Sequence, residues 1–266
     1  MVRKNGPRAT HRFPMRENKT KTKLKNGQPV FGVISKSSDP LIAELVGLAG
    51  FDYYMVDAEH GLINPEQMTH IVRACEAVGV TPMARIGRND PKQILAHLDA
   101  GMQGLMIPGL DSAEQIRNFV AACKYPPHGN RGLGLARSAN YMFGTDAAAY
   151  VEHANDNVMV LPQFEDATLL PHFAEMMAVD GVDGCVIGPR DLSLAMGFVD
   201  GPNHPEVQAV IDESIGIMRA NNVWAGITAG TAEAAQTQLD RGATIILNAL
   251  PALIKQSSSQ FLAPFR

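Results

Sequence analysis

The sequence predicts a single (β/α)8 barrel, and three observations point to it. Short apolar runs alternate with amphipathic segments eight times along the chain. The runs are apolar throughout rather than at every second residue, as in a parallel sheet buried on both faces. The length of 266 residues suits one closed α/β barrel, which needs about 250. A doubly wound open sheet is the competing architecture, but no GxGxxG follows the first strand.

The elements follow in order. Residues 29–35 (PVFGVIS) read as the first strand, and residues 41–49 as a helix capped by Ser38 or Asp39. Residues 52–57 (DYYMVD) are the second strand and 65–78 its helix. Residues 81–86 are the third strand, and the helix over 91–100 opens on Pro91. Residues 104–108 (GLMIP) are the fourth strand and 112–123 its helix. Residues 125–145 carry two prolines and repeated glycines and read as a long irregular stretch, the kind usually tied to function. The fifth strand spans 158–165 and its helix 169–177. The sixth strand spans 184–189 (GCVIGP), the next helix 205–221, the seventh strand 224–228 and its helix 232–241. The eighth strand spans 244–250, and a short helix near 251–260 ends the chain.

Composition sets outer limits. The chain is 45% hydrophobic and 19% charged, ordinary for a globular domain. A net charge of −4 gives no general sign of nucleic-acid binding. Basic residues crowd the first 25 positions, where Glu17 is the only acid. Residues 1–15 are expected to be a basic extension and residues 16–266 the barrel domain. The basic run reads as solvated chain; a cleaved targeting segment or a tail that recruits nucleic acid or membrane are alternatives. No apolar stretch is long enough to span a membrane. Cys75, Cys123 and Cys185 are few and lack CxxC spacing, as expected of core residues in a reducing, cytoplasmic setting.

In a parallel barrel, chemistry sits at the C-terminal ends of the strands. Strand two runs out in Asp57-Ala58-Glu59-His60, strand three in Arg85, strand five in Gln163-Phe164-Glu165, strand six in Gly188-Pro189-Arg190-Asp191 and strand seven in Thr228. Closure would bring them to one mouth. Glu165 and Asp191 are hard oxygen donors suited to Mg²⁺ or Mn²⁺; read alone, they also fit capping or ion-pair groups. His60 with Asp57 is an acid–base candidate, the carboxylate holding one imidazole tautomer. A histidine satisfied within a loop is the plain alternative. Arg85 could stabilise a developing oxyanion or bridge to a mouth carboxylate. A Schiff-base aldolase is disfavoured because no lysine is seen at a strand end.

Several segments together resemble the HpcH/HpaI aldolase family. They are Asp57-Ala-Glu-His60, Arg85 with Asn89-Asp90-Pro91, Tyr125-Pro-Pro-x-Gly-x-Arg131-Gly, Gln163-x-Glu165, and Gly181-Val-Asp-Gly-x-x-Ile-Gly-Pro-x-Asp191-Leu-Ser193. The similarity runs from about Asn18 to the last strand. It implies a divalent-metal-dependent (class II) aldolase that cleaves a 4-hydroxy-2-oxo acid to pyruvate, or a close analogue, and an aldehyde. By the same resemblance Glu165 and Asp191 hold Mg²⁺ or Mn²⁺, with Co²⁺ a further option. Arg85 would neutralise the enolate, and His60 with Asp57 would move protons. Gln163 and the backbone at Gly188, Arg190 and Asp191 would bind the 2-oxo acid, and Thr228 would line the aldehyde pocket. The resemblance also implies a homohexamer, a trimer of dimers, with the C-terminal helix exchanged between subunits. It implies small-molecule partners rather than nucleic acid or membrane. An acyl-CoA lyase of the citrate-lyase-β or malyl-CoA type shares the metal pair and is the alternative. Three departures stand out: Arg190 where small residues are common, the loop 135–141, and the ending of the eighth strand.

Overall fold

The computed structural model describes residues 15–266. Eight parallel strands close into a barrel in the order β1 to β8, β8 pairing back to β1. They are β1 (Val30–Ser35), β2 (Tyr53–Asp57), β3 (Thr81–Arg85), β4 (Gly104–Ile107), β5 (Met159–Phe164), β6 (Gly184–Ile187), β7 (Trp224–Thr228) and β8 (Ile245–Ala249). The predicted fold class is therefore the observed one.

The outer helices begin and end where local chemistry directs. Helix α2 (Pro40–Leu48) starts at Asp39, whose side chain accepts from the Leu41 N–H at 2.9 Å. Asn64 and Gln67 form a reciprocal capping box on α3 (Pro65–Val78), which stops at Gly79 in the left-handed region, φ 76°. Helices α4 (Pro91–Ala100) and α5 (Ala113–Cys123) are capped by Asp90 and Ser112. Helices α7 (Leu170–Met177), α9 (Pro205–Ala220), α10 (Ala232–Arg241) and α11 (Leu250–Leu262) complete the ring with the two that follow.

Two of the ring elements depart from expectation. Helix α6 (Ala147–Asn157) lies in a stretch given no element. It buries only Tyr150 and Asn155, so it has almost no apolar stripe to show in sequence. Helix α8 (Pro189–Ala195) begins directly after β6, in a stretch given no element; at seven residues it is too short for periodicity to show. The stretch 125–145 is irregular apart from a 3-10 segment at Arg137–Met142.

A third departure closes the barrel floor. Residues 19–25 form helix α1 (Lys19–Lys25), capped by Asn18. Leu24, 3% exposed, joins the interior cluster of Tyr53, Met55, Met83, Met106 and Met159. Three of the basic residues here are paired, while Lys19 and Lys25 are exposed. Arg16 lies 2.6 Å from Glu76, Lys21 2.7 Å from Asp183, and Lys23 2.8 Å from Asp52. Burial lowers the Lys21 pKa, although Asp183 works against it. The expected extension over residues 1–15 lies, but for Met15, outside the described residues.

Two packed layers fix the strand ends. The interior cluster fills the barrel, and Gly32 is glycine because a Cβ there would lie 2.2 Å from the Tyr53 ring. The larger layer, between strands and helices, includes the free and buried cysteines Cys75, Cys123 and Cys185. Among the described residues no helix is long and apolar enough to cross a membrane.

Candidate active site

Strand register brings Asp57 and Arg85 side by side at the ends of β2 and β3. Arg85 Nε donates to Asp57 Oδ1 at 3.0 Å and Nη2 donates to Oδ2 at 2.7 Å, a bidentate pair. Asp57 is 2% exposed. Burial alone would raise its pKa, but the bonds and charge of Arg85, with the His60 backbone N–H, hold it below the usual carboxylate range. Burial likewise opposes the Arg85 charge; Asp57 and Glu59 overcome it and raise the guanidinium pKa.

His60 sits differently from the expected dyad. Asp57 Oδ1 accepts from the backbone N–H of His60 at 3.2 Å and of Glu59 at 3.3 Å. The imidazole is 54% exposed, and its Nε2 lies 3.7 Å from Glu59 Oε2. Asp57 therefore shapes the loop that carries His60, while its carboxylate is spent on Arg85.

Glu165 follows β5, one residue beyond the observed strand end. Gln163 Nε2 donates to Glu165 Oε2 at 2.6 Å. Burial, then the charges of Asp191 and Glu59, push the Glu165 pKa up to about 7, against Arg85 and Gln163. Gly188 leaves room for this pair: a Cβ would stand 2.9 Å from Gln163 Nε2 and 3.3 Å from Glu165 Oε2, so either side chain would have to move. The first helical bond of α8 runs from Leu192 N–H to Gly188 O, so the N–H groups of Arg190 and Asp191 have no helical acceptor.

A cavity of about 410 Å³ opens at this mouth. Its wall holds Asp57, Arg85, Gln163, Gly188, Arg190, Asp191 and Thr228. Glu165 instead faces an adjoining groove of about 780 Å³ together with Glu59, and His60 lines neither. The structure thus gathers seven of the nine expected site residues around one space, with Glu165 at its border.

Among the described residues no group of three or more His, Cys, Asp or Glu side chains is placed to hold a metal ion. Two carboxylates remain, Glu165 and Asp191, whose mutual repulsion is part of what raises the Glu165 pKa. The adjacent Gln163 Oε1 is buried without a hydrogen-bond partner. An all-oxygen set with unrelieved negative charge fits a hard divalent cation completed by water and substrate.

Some residues of the mouth escaped the sequence reading. Glu59 lies 3.1 Å from Arg85 Nε, a second carboxylate on the same cation. Lys36 follows β1 directly and lines the cavity between Ser35 and Ser37. This corrects the expectation that no lysine stands at a strand end. The signal is in the sequence: Lys36 directly follows the apolar run of the first strand. Lys36 is nonetheless exposed, whereas Schiff-base lysines are activated by desolvation or a neighbouring cation.

Comparison with known proteins points the same way. The family model for HpcH/HpaI aldolase/citrate lyase matches residues 31–251. The chain is 39% identical over 232 residues to a 4-hydroxy-2-oxo-heptane-1,7-dioate aldolase of Salmonella dublin, covering 86% of this chain and 87% of the relative. It is 38% identical over 219 residues to a 2-dehydro-3,6-dideoxy-6-sulfogluconate aldolase of Pseudomonas putida, covering 82% and 85%. A crystal structure of an HpcH/HpaI aldolase from Desulfitobacterium hafniense superposes with a TM-score of 0.87 at 29% identity, covering 92% of this chain and 95% of that one.

Proposed function

The chain belongs to the HpcH/HpaI aldolase/citrate lyase family, and from that premise we propose that it is a class II aldolase. It cleaves a 4-hydroxy-2-oxo acid reversibly to pyruvate, or a close analogue, and an aldehyde. The carrying observation is the convergence of the buried Arg85–Asp57 pair and the Glu165–Asp191 carboxylates on one mouth.

What a divalent cation supplies, held by Glu165 and Asp191, is Lewis acidity at the keto oxygen of the substrate. Mg²⁺ and Mn²⁺ suit the oxygen donors, and Co²⁺ can substitute. The chain's own residues supply the rest. In cleavage, His60, which stands outside the cavity wall, takes the 4-hydroxyl proton through water. The C3–C4 bond breaks, C4 becomes the aldehyde carbonyl, and the electron pair moves into the enolate. Arg85 lines the cavity and has N–H groups on Nη1 not committed to Asp57, which are available to the developing negative charge. Asp57 keeps the guanidinium in one orientation, so little reorganisation is needed as charge develops. Proton return to C3 gives the methyl group of pyruvate. Gln163 and the backbone of Gly188, Arg190 and Asp191 orient the acid end, and Thr228 borders the aldehyde.

Assembly belongs to the same reading. Helix α11 buries none of its residues within the chain, and Ile254 and Phe261 are 57% and 74% exposed. These residues support a homohexamer with α11 exchanged between subunits. The buried, unpaired cysteines support a reducing, cytoplasmic setting. The basic residues bonded at the barrel floor favour small-molecule partners over nucleic acid or membrane. An acyl-CoA lyase has weaker support, because the relatives at 38–39% identity are named as aldolases of free acids.

Purified protein supplied with Mg²⁺ or Mn²⁺, pyruvate and small aldehydes is expected to give aldol products, and a chelator to stop the reaction. No product with any aldehyde, and no chelator-sensitive cleavage of 4-hydroxy-2-oxo acids, refutes the proposal.

A further inference from the structure

A second polar cavity, of about 370 Å³, opens at the floor of the barrel, the end remote from the catalytic mouth. Its inner wall holds Lys21 of α1, Lys124 just after α5 and Asp183 just before β6. Trp224, at the start of β7, lines it as well. Lys25, His128, Asp156 and Asp180 are exposed and form its rim.

The inner charges do not balance. Lys21 and Lys124 are 6% and 7% exposed. Burial, and then the charges of Lys124 and Lys25, push the Lys21 pKa down against the pull of Asp183, so the lysines feel one another. Asp183 is fully spent: one oxygen lies 2.7 Å from Lys21 Nζ, and the other accepts the Val160 N–H at 2.9 Å. The buried Asn155 side chain is spent on Tyr125, accepting its N–H at 2.7 Å and donating to its carbonyl at 3.2 Å. Among the described residues neither Lys124 nor Lys25 forms an ion pair. Two buried lysines against one aspartate leave an excess positive charge inside.

Donors are left over as well. An ammonium group carries three N–H bonds. Lys124 Nζ spends one on Asn155 O, and Lys21 Nζ spends two, on Val158 O at 2.8 Å and on Asp183. Two donors on Lys124 and one on Lys21 remain beside the cavity. Buried charge short of partners is costly, and a compact oxyanion accepts several such bonds at once. The rim limits what can enter. Its two aspartates, Asp156 and Asp180, outnumber Lys25 and oppose a long polyanion lying across the opening.

We propose that the floor cavity is an anion site, in which Lys21 and Lys124 hold a small oxyanion and Lys25 guards the entrance. The site does not depend on the aldolase reading of the mouth. Bound there, the anion fastens α1 to the chain that follows α5, so its effect is on stability rather than on turnover. Phosphate, sulfate and carboxylate share the chemistry it would recognise.

Trp224 is the only tryptophan of the chain, so its fluorescence reports on this cavity. Inorganic phosphate, sulfate and acetate are titrated separately into the Mg²⁺-loaded protein at low, fixed chloride. At least one should change the emission saturably and raise the melting temperature, and the three arms rank the anions. Phosphate can also meet a cation at the mouth, so the titration is repeated in Glu165→Gln, where the signal should persist. Lys124→Met should weaken binding by about tenfold, the size expected for a partly solvated charge pair. Lys124→Arg, which keeps the charge, should restore most of it. Lys25→Met, at an exposed position where folding is not at risk, should weaken binding by about threefold. Tripolyphosphate should bind no more tightly than phosphate. No saturable change with any of the three anions, tighter binding of tripolyphosphate, or an affinity unchanged in both methionine variants overturns the proposal. If Lys124→Met does not fold, an unchanged affinity in Lys25→Met overturns it alone.

Discussion

Arg85 and Asp57 are register partners on adjacent strands, and their side chains close on one another through two hydrogen bonds of 3.0 and 2.7 Å. The pair is nearly out of solvent, at 13% and 2% side-chain exposure. Removing Asp57 from so buried a pair leaves Arg85 with only Glu59, 3.1 Å from Nε, as counter-charge and without its bidentate partner. Asp57→Ala should therefore destabilise the protein by about 3 kcal/mol. It should also lower kcat by freeing the guanidinium to rotate. A double-mutant cycle with Arg85→Met, followed by urea denaturation, should show clear coupling; additive losses would mean the pair is incidental.

Glu165 makes stability depend on pH in a defined direction. Its pKa rises from 4.5 to about 7 on folding. Between those values the folded protein holds a proton that the unfolded chain has released, so metal-free stability should fall as pH rises through that window. Divalent cations require the ionised form, so their affinity should climb with pH below about 7 and level off above it. Glu165→Gln should flatten this part of the stability profile in chelator. Thermal melts across the range, with and without Mn²⁺, check both slopes.

The cation site itself is tested by Glu165→Gln and Asp191→Asn. Each variant should lose Mn²⁺ binding measured by paramagnetic resonance, and activity with it. Full Mn²⁺ affinity in both variants would refute the ligand assignment.

Gly188 predicts an effect on activity disproportionate to its effect on folding. An added methyl would press on Gln163 Nε2 and Glu165 Oε2. Gly188→Ala should lower kcat/KM by an order of magnitude or more, as expected of an ångström-scale misplacement, while the melting temperature changes little. Equal, small changes in both would place no geometric demand on that position.

The floor of the barrel makes an independent structural prediction. Leu24→Ala removes a side chain that is 3% exposed within the interior cluster. A loss of about 3 kcal/mol in chemical denaturation is expected. A negligible loss would mean that α1 does not seal the barrel.

Most of the fold was legible because strands and capped helices write themselves locally. Asp39, Asn64, Asp90 and Ser112 each sit where their helices begin, and the apolar runs of Tyr53–Asp57 and Met159–Phe164 show no polar face. The elements that escaped are those whose stability comes from partners distant in sequence. Helix α1 offers a single buried apolar side chain, Leu24, and Lys21 and Lys23 read as solvated until Asp183 and Asp52 are seen beside them. The active-site residues were legible as a set at strand ends, but their partners were not. That Asp57 would spend its carboxylate on Arg85, leaving His60 beside Glu59, depends on the β2–β3 register and on the loop following β2. Lys36 is legible from sequence as the residue that directly follows the first apolar run.

The central claim is that this mouth generates the enolate of a 2-oxo acid, and that step can be observed without knowing the aldehyde. Pyruvate incubated in D₂O with the protein and Mn²⁺ or Mg²⁺ should exchange its methyl protons, followed by NMR. Exchange should stop with chelator and in Glu165→Gln, and fall sharply in Arg85→Ala. Exchange no faster than with the metal alone, or undiminished in those variants, would contradict the account.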